Sequence, residues 1–271
     1  MIDLRVRGVA LLLALCCTVQ GFAADRRRIA TINIGATSLV TLASCVVQKH
    51  VHSARDAARC LVAGSVAGAA FYQSKRLAAR GDITEGWVVA NLASSVVENT
   101  AAGEHPLSRL GYTFGPFRLR VATPFDRARE SIVDVDVSAA ETMFLTRALL
   151  DADDVDIRDG MIWYETRDTH TGAGGIVYDG YTWGIFPGVW SGAPSHTWHH
   201  EAIHAVQSLQ LDSAEPPALT LDRTRRPIRV RSLRLGALNL ADNVAGSQFS
   251  YEDRWAEIEA YRLTEDREPP R

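Results

Sequence analysis

The segment SHTWHHEAIHAVQSLQ, residues 195–210, carries the pattern from which both a central helix and a chemistry are predicted. Its apolar residues recur at helical spacing, which predicts a helix with one buried face. Either Ser195 or Thr197 is expected to cap the beginning of this helix. The apolar face consists of Trp198, Ala202, Ala205, Val206 and Leu209.

The same helix carries a His-Glu-x-x-His motif, formed by His200, Glu201 and His204. Residues four apart lie on the same side of a helix, so both imidazoles can bind one Zn²⁺. Glu201 is the next residue round the helix. This position suits a general base that takes a proton from metal-bound water, and it does not suit a metal ligand. The motif therefore predicts a zinc site with two ligands on this helix.

A third ligand must come from elsewhere in the chain, and its identity separates the classes of zinc peptidase. Gln207 and Gln210 occupy the positions where a metzincin has glycine and histidine, which excludes that class. An upstream cysteine ligand of the deformylase kind is also rejected, because Cys60 precedes the motif by 140 residues. The remaining option is a glutamate from a downstream helix.

The residues after 250 predict such a helix. The segment SYED, residues 250–253, resembles a capping box, and an apolar pattern follows it through Leu263. Glu257 and Glu259 are the two candidate ligands on this helix.

Together these features resemble the gluzincin class of zinc metallopeptidases over roughly residues 155–264. In the membrane-associated gluzincins the third-ligand segment reads Glu-x-x-Ala-Asp. Glu257 and Ala260 match this pattern, whereas Tyr261 replaces the aspartate. The resemblance implies Glu257 as the third ligand, with Glu259 as the alternative. The aspartate of the family supports a zinc-bound histidine, and this sequence leaves that role unassigned.

The resemblance implies a zinc metallopeptidase that hydrolyses peptide or protein substrates. Zn²⁺ would be bound by His200, His204 and Glu257, and Glu201 would act as the general base. Members of the class also use a tyrosine or histidine to stabilise the oxyanion. Tyr261, one turn beyond Glu257, is the preferred residue, and the other candidates are Tyr251, His196 and His199.

Two further hypotheses stay open at this point. The first is a non-catalytic, envelope-associated scaffold that retains a degenerate or structural zinc site, and the substitution at Tyr261 favours it. The second is a helical membrane protein in which the motif is accidental. The pI of about 6.2 and the net charge of −3 argue against a nucleic-acid partner. Nothing in the sequence specifies an oligomeric state.

The N-terminus predicts export. Arg5 and Arg7 precede an apolar run over residues 8–19, and small residues before position 24 are typical of signal-peptide cleavage. Residues 1–23 are therefore interpreted as a signal peptide. The three arginines at 26–28 favour an uncleaved signal anchor as the alternative. The protein is expected to be periplasmic, secreted or anchored in a membrane.

Residues 24–103 predict an Ala/Gly-rich helical segment. Residues 29–48 lack charge but carry many polar side chains, and residues 60–72 contain Gly64 and Gly68 at the spacing of close-packed helix pairs. This segment is either a helical hairpin in water or a membrane-associated one. Its two cysteines, Cys45 and Cys60, form a disulfide or remain buried thiols.

Residues 104–264 predict an α+β domain with a zincin-like core. Alternating residues indicate strands over 117–121 and 132–137, and residues 138–150 indicate a helix. Asp-Gly pairs at 159–160 and 179–180 are typical of β-hairpins, so residues 155–190 predict an antiparallel meander. In gluzincins a strand at this place binds the substrate backbone.

The long connection before the last helix is rich in arginine, and residues 265–271 predict a flexible tail. The connection is interpreted as a solvated loop or a charged edge strand, with binding of an anionic lipid or substrate as the alternative. Its six arginines are Arg223, Arg225, Arg226, Arg229, Arg231 and Arg234.

Overall fold

A computed structural model describes residues 26–127, 131–171, 177–221, 227–246 and 255–264. These residues form an α+β fold, as predicted. The predicted signal peptide, the SYED segment with Tyr251, and the tail lie outside the described residues. The helices are α1 (Arg26–Val47), α2 (Ala54–Ala79), α3 (Ile83–Ala101), α4 (Ala139–Asp151), α5 (Ser195–Ala214), α6 (Ala237–Gly246) and α7 (Trp255–Thr264).

Two larger sheets and one short strand pair accompany the helices. The strands are β1 (Arg109–Phe114), β2 (Phe117–Ala122), β3 (Val133–Ser138), β4 (Asp154–Arg158), β5 (Met161–Thr166), β6 (His170–Thr171), β7 (Val177–Tyr178), β8 (Gly180–Trp183), β9 (Phe186–Trp190), β10 (Leu219–Thr220) and β11 (Ile228–Arg234).

Helices α1 and α2 pack so closely that their backbones touch. A Cβ added at Gly64 would lie 2.6 Å from Ser38 Cα, and one at Gly68 would lie 2.7 Å from Ile34 Cα. The glycine spacing therefore serves the close helix packing that the sequence predicts. A Cys45–Cys60 disulfide also links the two helices.

Helix α1 is long and apolar enough to cross a membrane by length and composition, and no other described helix is. It buries polar side chains such as Asn33, Thr37 and Ser44 against its neighbours, whereas Leu39 and Val46 are exposed. Its contacts with the rest of the fold are therefore largely polar.

The five-stranded sheet has the order β1-β2-β3-β11-β10. Strand β11 runs parallel to β3 and lies between β3 and β10, so it is an interior strand. The expectation of a solvated loop or edge strand over this connection is therefore wrong at β11. Arg229 and Arg234 are buried there, because acidic side chains of other strands and of α3 pair with them. Arg223, Arg225 and Arg226 lie outside the described residues.

This sheet buries its polar face and exposes its apolar face. Glu98 of α3 forms ion pairs with Arg118 and Arg234, both at 2.8 Å, and Asp134 of β3 pairs with Arg109 at 2.7 Å. The predicted alternation is confirmed, but the polar set faces the helices because α3 presents polar and acidic side chains to it. The outer face includes Leu110, Phe117, Leu119, Val121, Ile228 and Val230, all exposed.

The four-stranded sheet has the order β4-β5-β9-β8. The first Asp-Gly hairpin is confirmed, since Asp159 and Gly160 both have positive φ between β4 and β5. The second is wrong: the carbonyl of Asp179 accepts a hydrogen bond from Trp190 N, and the turn lies at Gly184 instead. Because β5 and β9 are parallel, the sheet is mixed and residues 155–190 do not form an antiparallel meander.

Helix α5 lies at the centre of the molecule. It packs on α2 and α3 on one side, on β8 and β9 on another, and on α7. One hydrophobic core joins Phe71 and Trp87 of the N-terminal helices to Trp163, Phe186 and Ile203. The core is therefore continuous across the boundary predicted at residue 103.

We expect Gly64→Ala to lower the free energy of unfolding by about 1–3 kcal/mol, because the added methyl group has no room beside Ser38. Gly35 on α1 is the matched control, since a Cβ there meets nothing within 4 Å. Gly35→Ala should be neutral or stabilise by up to about 1 kcal/mol. Urea unfolding followed by circular dichroism measures both, and equal effects would contradict the close packing.

A second prediction concerns Glu98 and pH. Burial raises the pKa of Glu98, but Arg118, Arg234 and Arg120 outweigh it and lower the pKa from 4.5 to about 2. Its contribution to stability is therefore complete above pH 4.5 and is lost as the pH falls toward 2. Glu98→Gln should cost about 3 kcal/mol at pH 7 and flatten this acid dependence.

Urea unfolding at several pH values between 7 and 3 tests the Glu98 prediction, with Glu85→Gln as the control. Glu85 lies on the same helix but is exposed. If the Glu98 variant kept the acid dependence of the wild type, the buried ion pairs would not carry it.

Candidate metal centre

The packing of helix α5 in the core determines the direction in which its His-Glu-x-x-His motif faces. Ala202, Ile203 and Val206 are almost fully buried in the core, which fixes the rotation of the helix. The helix begins at Ser195 after Pro194, and no side chain caps it, so the predicted cap at Ser195 or Thr197 is not confirmed.

The structure brings His200, His204 and Glu257 together. The Nε2 atoms of the two histidines are 3.0 Å apart, and Glu257 Oε2 lies 3.1 Å from His200 Nε2 and 3.3 Å from His204 Nε2. This is the one group among the described residues whose donor atoms are arranged to hold a metal ion. The residues chosen from the sequence as ligands are therefore adjacent in the fold.

The donor triangle fits a tetrahedral zinc ion. Metal–ligand bonds of about 2.0–2.1 Å at tetrahedral angles place the donors about 3.3 Å apart, close to the separations observed. The two histidines and the glutamate are also a donor set that zinc favours. These three described donors would occupy three of the four positions of such an ion.

The side chains of this group shift one another's pKa values. Burial lowers the pKa of His204, but Glu257 outweighs it and raises that pKa to about 9. Burial raises the pKa of Glu257, but His204 and His200 hold it below its usual value. A carboxylate between two imidazoles is thus kept ionised and available to a cation.

Glu201 lies beside this group but does not belong to it. Its side chain is buried, and its Oε2 accepts a hydrogen bond of 2.7 Å from Thr182 Oγ1 on β8. Burial raises the pKa of Glu201 above its usual value, against the opposing effect of the two histidines. Its carboxylate is therefore positioned by β8 and is poised to accept a proton.

Among the candidates for oxyanion stabilisation that the structure describes, Tyr261 lies against one of the candidate ligands, and Tyr251 lies outside the described residues. The ring centroid of Tyr261 lies 4.7 Å from that of His200, and the side chain is 42% exposed. The His199 side chain packs beside Gly81 in the turn between α2 and α3. His196 is exposed at the beginning of α5.

The structure gives Glu259, the alternative ligand, a different role. Glu259 is buried and forms an ion pair of 2.8 Å with Lys75 of α2. Gln207, which in the sequence is only a mismatch to the metzincins, links Glu259 to His204. Its side chain bonds His204 Nδ1 at 2.7 Å and Glu259 Oε2 at 2.8 Å. Sequence reasoning missed both Gln207 and Lys75. The three-residue spacing of His204 and Gln207 on one helix was the available signal for Gln207, whereas the partner of Lys75 lies 184 residues away in the chain.

Comparison of the chain with protein-family models, with curated proteins and with solved structures finds no match. The interpretation of the site therefore depends on its own geometry and chemistry.

We expect His200→Ala to abolish binding of one metal ion per chain, because it removes a donor from the triangle. His199→Ala is the matched control, since this neighbouring histidine faces the turn between α2 and α3. Mass-spectrometric metal content after incubation with zinc and desalting measures both variants. Retention of the metal by the His200 variant would contradict the assignment of the ligands.

Proposed function

We propose that the protein is a zinc-dependent metallopeptidase. The observation that carries the proposal is the triangle of His200 Nε2, His204 Nε2 and Glu257 Oε2 beside the buried carboxylate of Glu201. When bound there, zinc would polarise a peptide carbonyl and make a water molecule more acidic.

The kinds of donor favour catalysis over a purely structural site. Structural zinc sites mostly contain cysteine, whereas two histidines and a glutamate are a donor set of catalytic sites. The donors in this group are His200, His204 and Glu257. This donor set supports an enzyme over the alternative, an envelope-associated scaffold with a structural zinc ion.

Glu201 would act as the general base and then as the general acid. Its carboxylate would take a proton from the attacking water and deliver it to the leaving amine, as the peptide bond breaks. Thr182 holds this carboxylate by donating to Oε2. The raised pKa of Glu201 increases its affinity for the proton that it carries between the two positions.

Strand β8 supports a peptide as the substrate. It is the edge strand of the four-stranded sheet, and Thr182 in its middle contacts Glu201. An extended peptide could pair with this edge and pass the catalytic carboxylate.

Two observations support an exported protein. The Cys45–Cys60 disulfide is typical of an oxidising compartment. The N-terminal part of the chain also contains an apolar helix that is long enough for an anchor. The protein would then act on peptides outside the cytosol, either free or held at a membrane.

The test uses the full chain and its Glu201→Gln variant. We expect both proteins to contain about one zinc ion per molecule, because Glu201 is not a donor. Cleavage of a mixed peptide library, followed by mass spectrometry, should fall about 10²–10⁴-fold in the variant.

The outcomes separate the two functions. A wild-type protein that binds zinc but cleaves no peptide of the library would favour the scaffold. Equal cleavage by the wild type and the Glu201 variant would contradict the role of Glu201. Removal of zinc with a chelator should abolish cleavage, and adding zinc back should restore it.

A further inference from the structure

Zinc-bound histidines need a partner for the nitrogen that does not face the metal. That partner fixes the tautomer and the orientation of the ring, and its loss commonly weakens metal binding. In this chain Tyr261 stands where the gluzincin pattern has the supporting aspartate. The partner of His204 is instead Gln207, three residues along the same helix.

The geometry defines the direction of each hydrogen bond. His204 Nε2 belongs to the donor triangle, so Nδ1 carries the ring hydrogen. Nδ1 donates a hydrogen bond to Gln207 Oε1, 2.7 Å away. The amide nitrogen of Gln207 then donates to Glu259 Oε2 at 2.8 Å and to the carbonyl oxygen of Ala256 at 3.1 Å. These two acceptors orient the amide with its oxygen toward His204.

Glu259 is itself held by the N-terminal helices. Lys75 Nζ of α2 donates to Glu259 Oε2 and to Asn33 Oδ1 of α1, at 2.8 and 2.7 Å. Asn33 Nδ2 donates in turn to Glu259 Oε1. All three side chains are at most 3% exposed, and a charge pair so deeply buried is stable only because each charge has the other as its partner.

We propose that Gln207, oriented by Glu259 and Lys75, is the positioning residue for the zinc ligand His204, so that α1 and α2 complete the metal centre. This inference rests on the proposed function. It gives His204 a hydrogen-bond partner, and it makes the N-terminal helices part of the site.

The experiment measures zinc affinity by competition with a chromogenic chelator, using the full chain, Gln207→Leu and Gln210→Leu. Gln210 is the matched control, because it lies on the same helix and bonds Thr37 of α1 but not a ligand. We expect a 10–100-fold loss of affinity in Gln207→Leu and less than a threefold change in Gln210→Leu.

Two additional readouts distinguish positioning from a general loss of structure. Cobalt(II) in place of zinc should give a visible spectrum that changes in Gln207→Leu and not in Gln210→Leu. The melting temperatures of the two leucine variants, measured without zinc, should be similar, which would separate a loss of zinc affinity from a loss of structure.

A double variant covers the case in which Gln207→Leu does not fold. Lys75→Met with Glu259→Met removes both buried charges at nearly constant volume, a change that proteins often tolerate. It should keep the melting temperature and still weaken zinc binding about tenfold or more.

The results separate this inference from the proposed function. A wild type that binds no zinc would refute the proposed function. A wild type that binds one zinc ion, with unchanged affinity and cobalt spectrum in Gln207→Leu and in the double variant, would refute the positioning role alone.

Discussion

The buried ion pair between Lys75 and Glu259 ties the helix of the third candidate metal ligand to the N-terminal helices. Helix α7 is short, with ten residues from Trp255 to Thr264, and its other anchors are the core residues Ala260 and Leu263. Each charge of the pair holds the other in place, because removing one partner alone would leave an uncompensated charge at a cost of about 3–5 kcal/mol. Glu257 lies two residues before Glu259 on the same helix. The contact that anchors α7 thus also places the carboxylate of Glu257 against the two histidines of α5.

The same principle organises the five-stranded sheet. Its interior is polar: acidic residues such as Glu98 and Asp134 are surrounded by arginines from neighbouring strands, and the apolar side chains face outward. Burial of so many charges is favourable only when each is paired, so the partners must arrive together. Most of these ion pairs join elements that are distant in the sequence. They favour one strand register, because a shift of one residue would turn the charged side chains to the other face and separate the pairs.

Much of this architecture follows from local patterns. The spacing of His200 and His204, the glycines of α2 and the first Asp-Gly hairpin all depend on neighbouring residues, and each is observed as predicted. The interior position of β11 could not be predicted in this way. Its alternating arginines indicate an exposed strand unless it is known that Glu98 and Asp134 face them. Likewise, the parallel pairing of β5 with β9 is set by tertiary contacts. Gln207 lies only three residues from His204, but the Lys75–Glu259 pair that orients its amide joins α2 to α7 and leaves no local signal in the sequence.

X-ray absorption at the zinc edge of the purified full chain tests the proposed ligands of the metal centre. We predict four light donor atoms at about 2.0–2.1 Å, with the outer-shell scattering of two imidazoles and no sulfur. Two histidines, one carboxylate and one exchangeable small molecule would produce this spectrum. A sulfur donor, a third or fourth imidazole, or a spectrum of zinc bound only by water would contradict the assignment of His200, His204 and Glu257 as the metal centre.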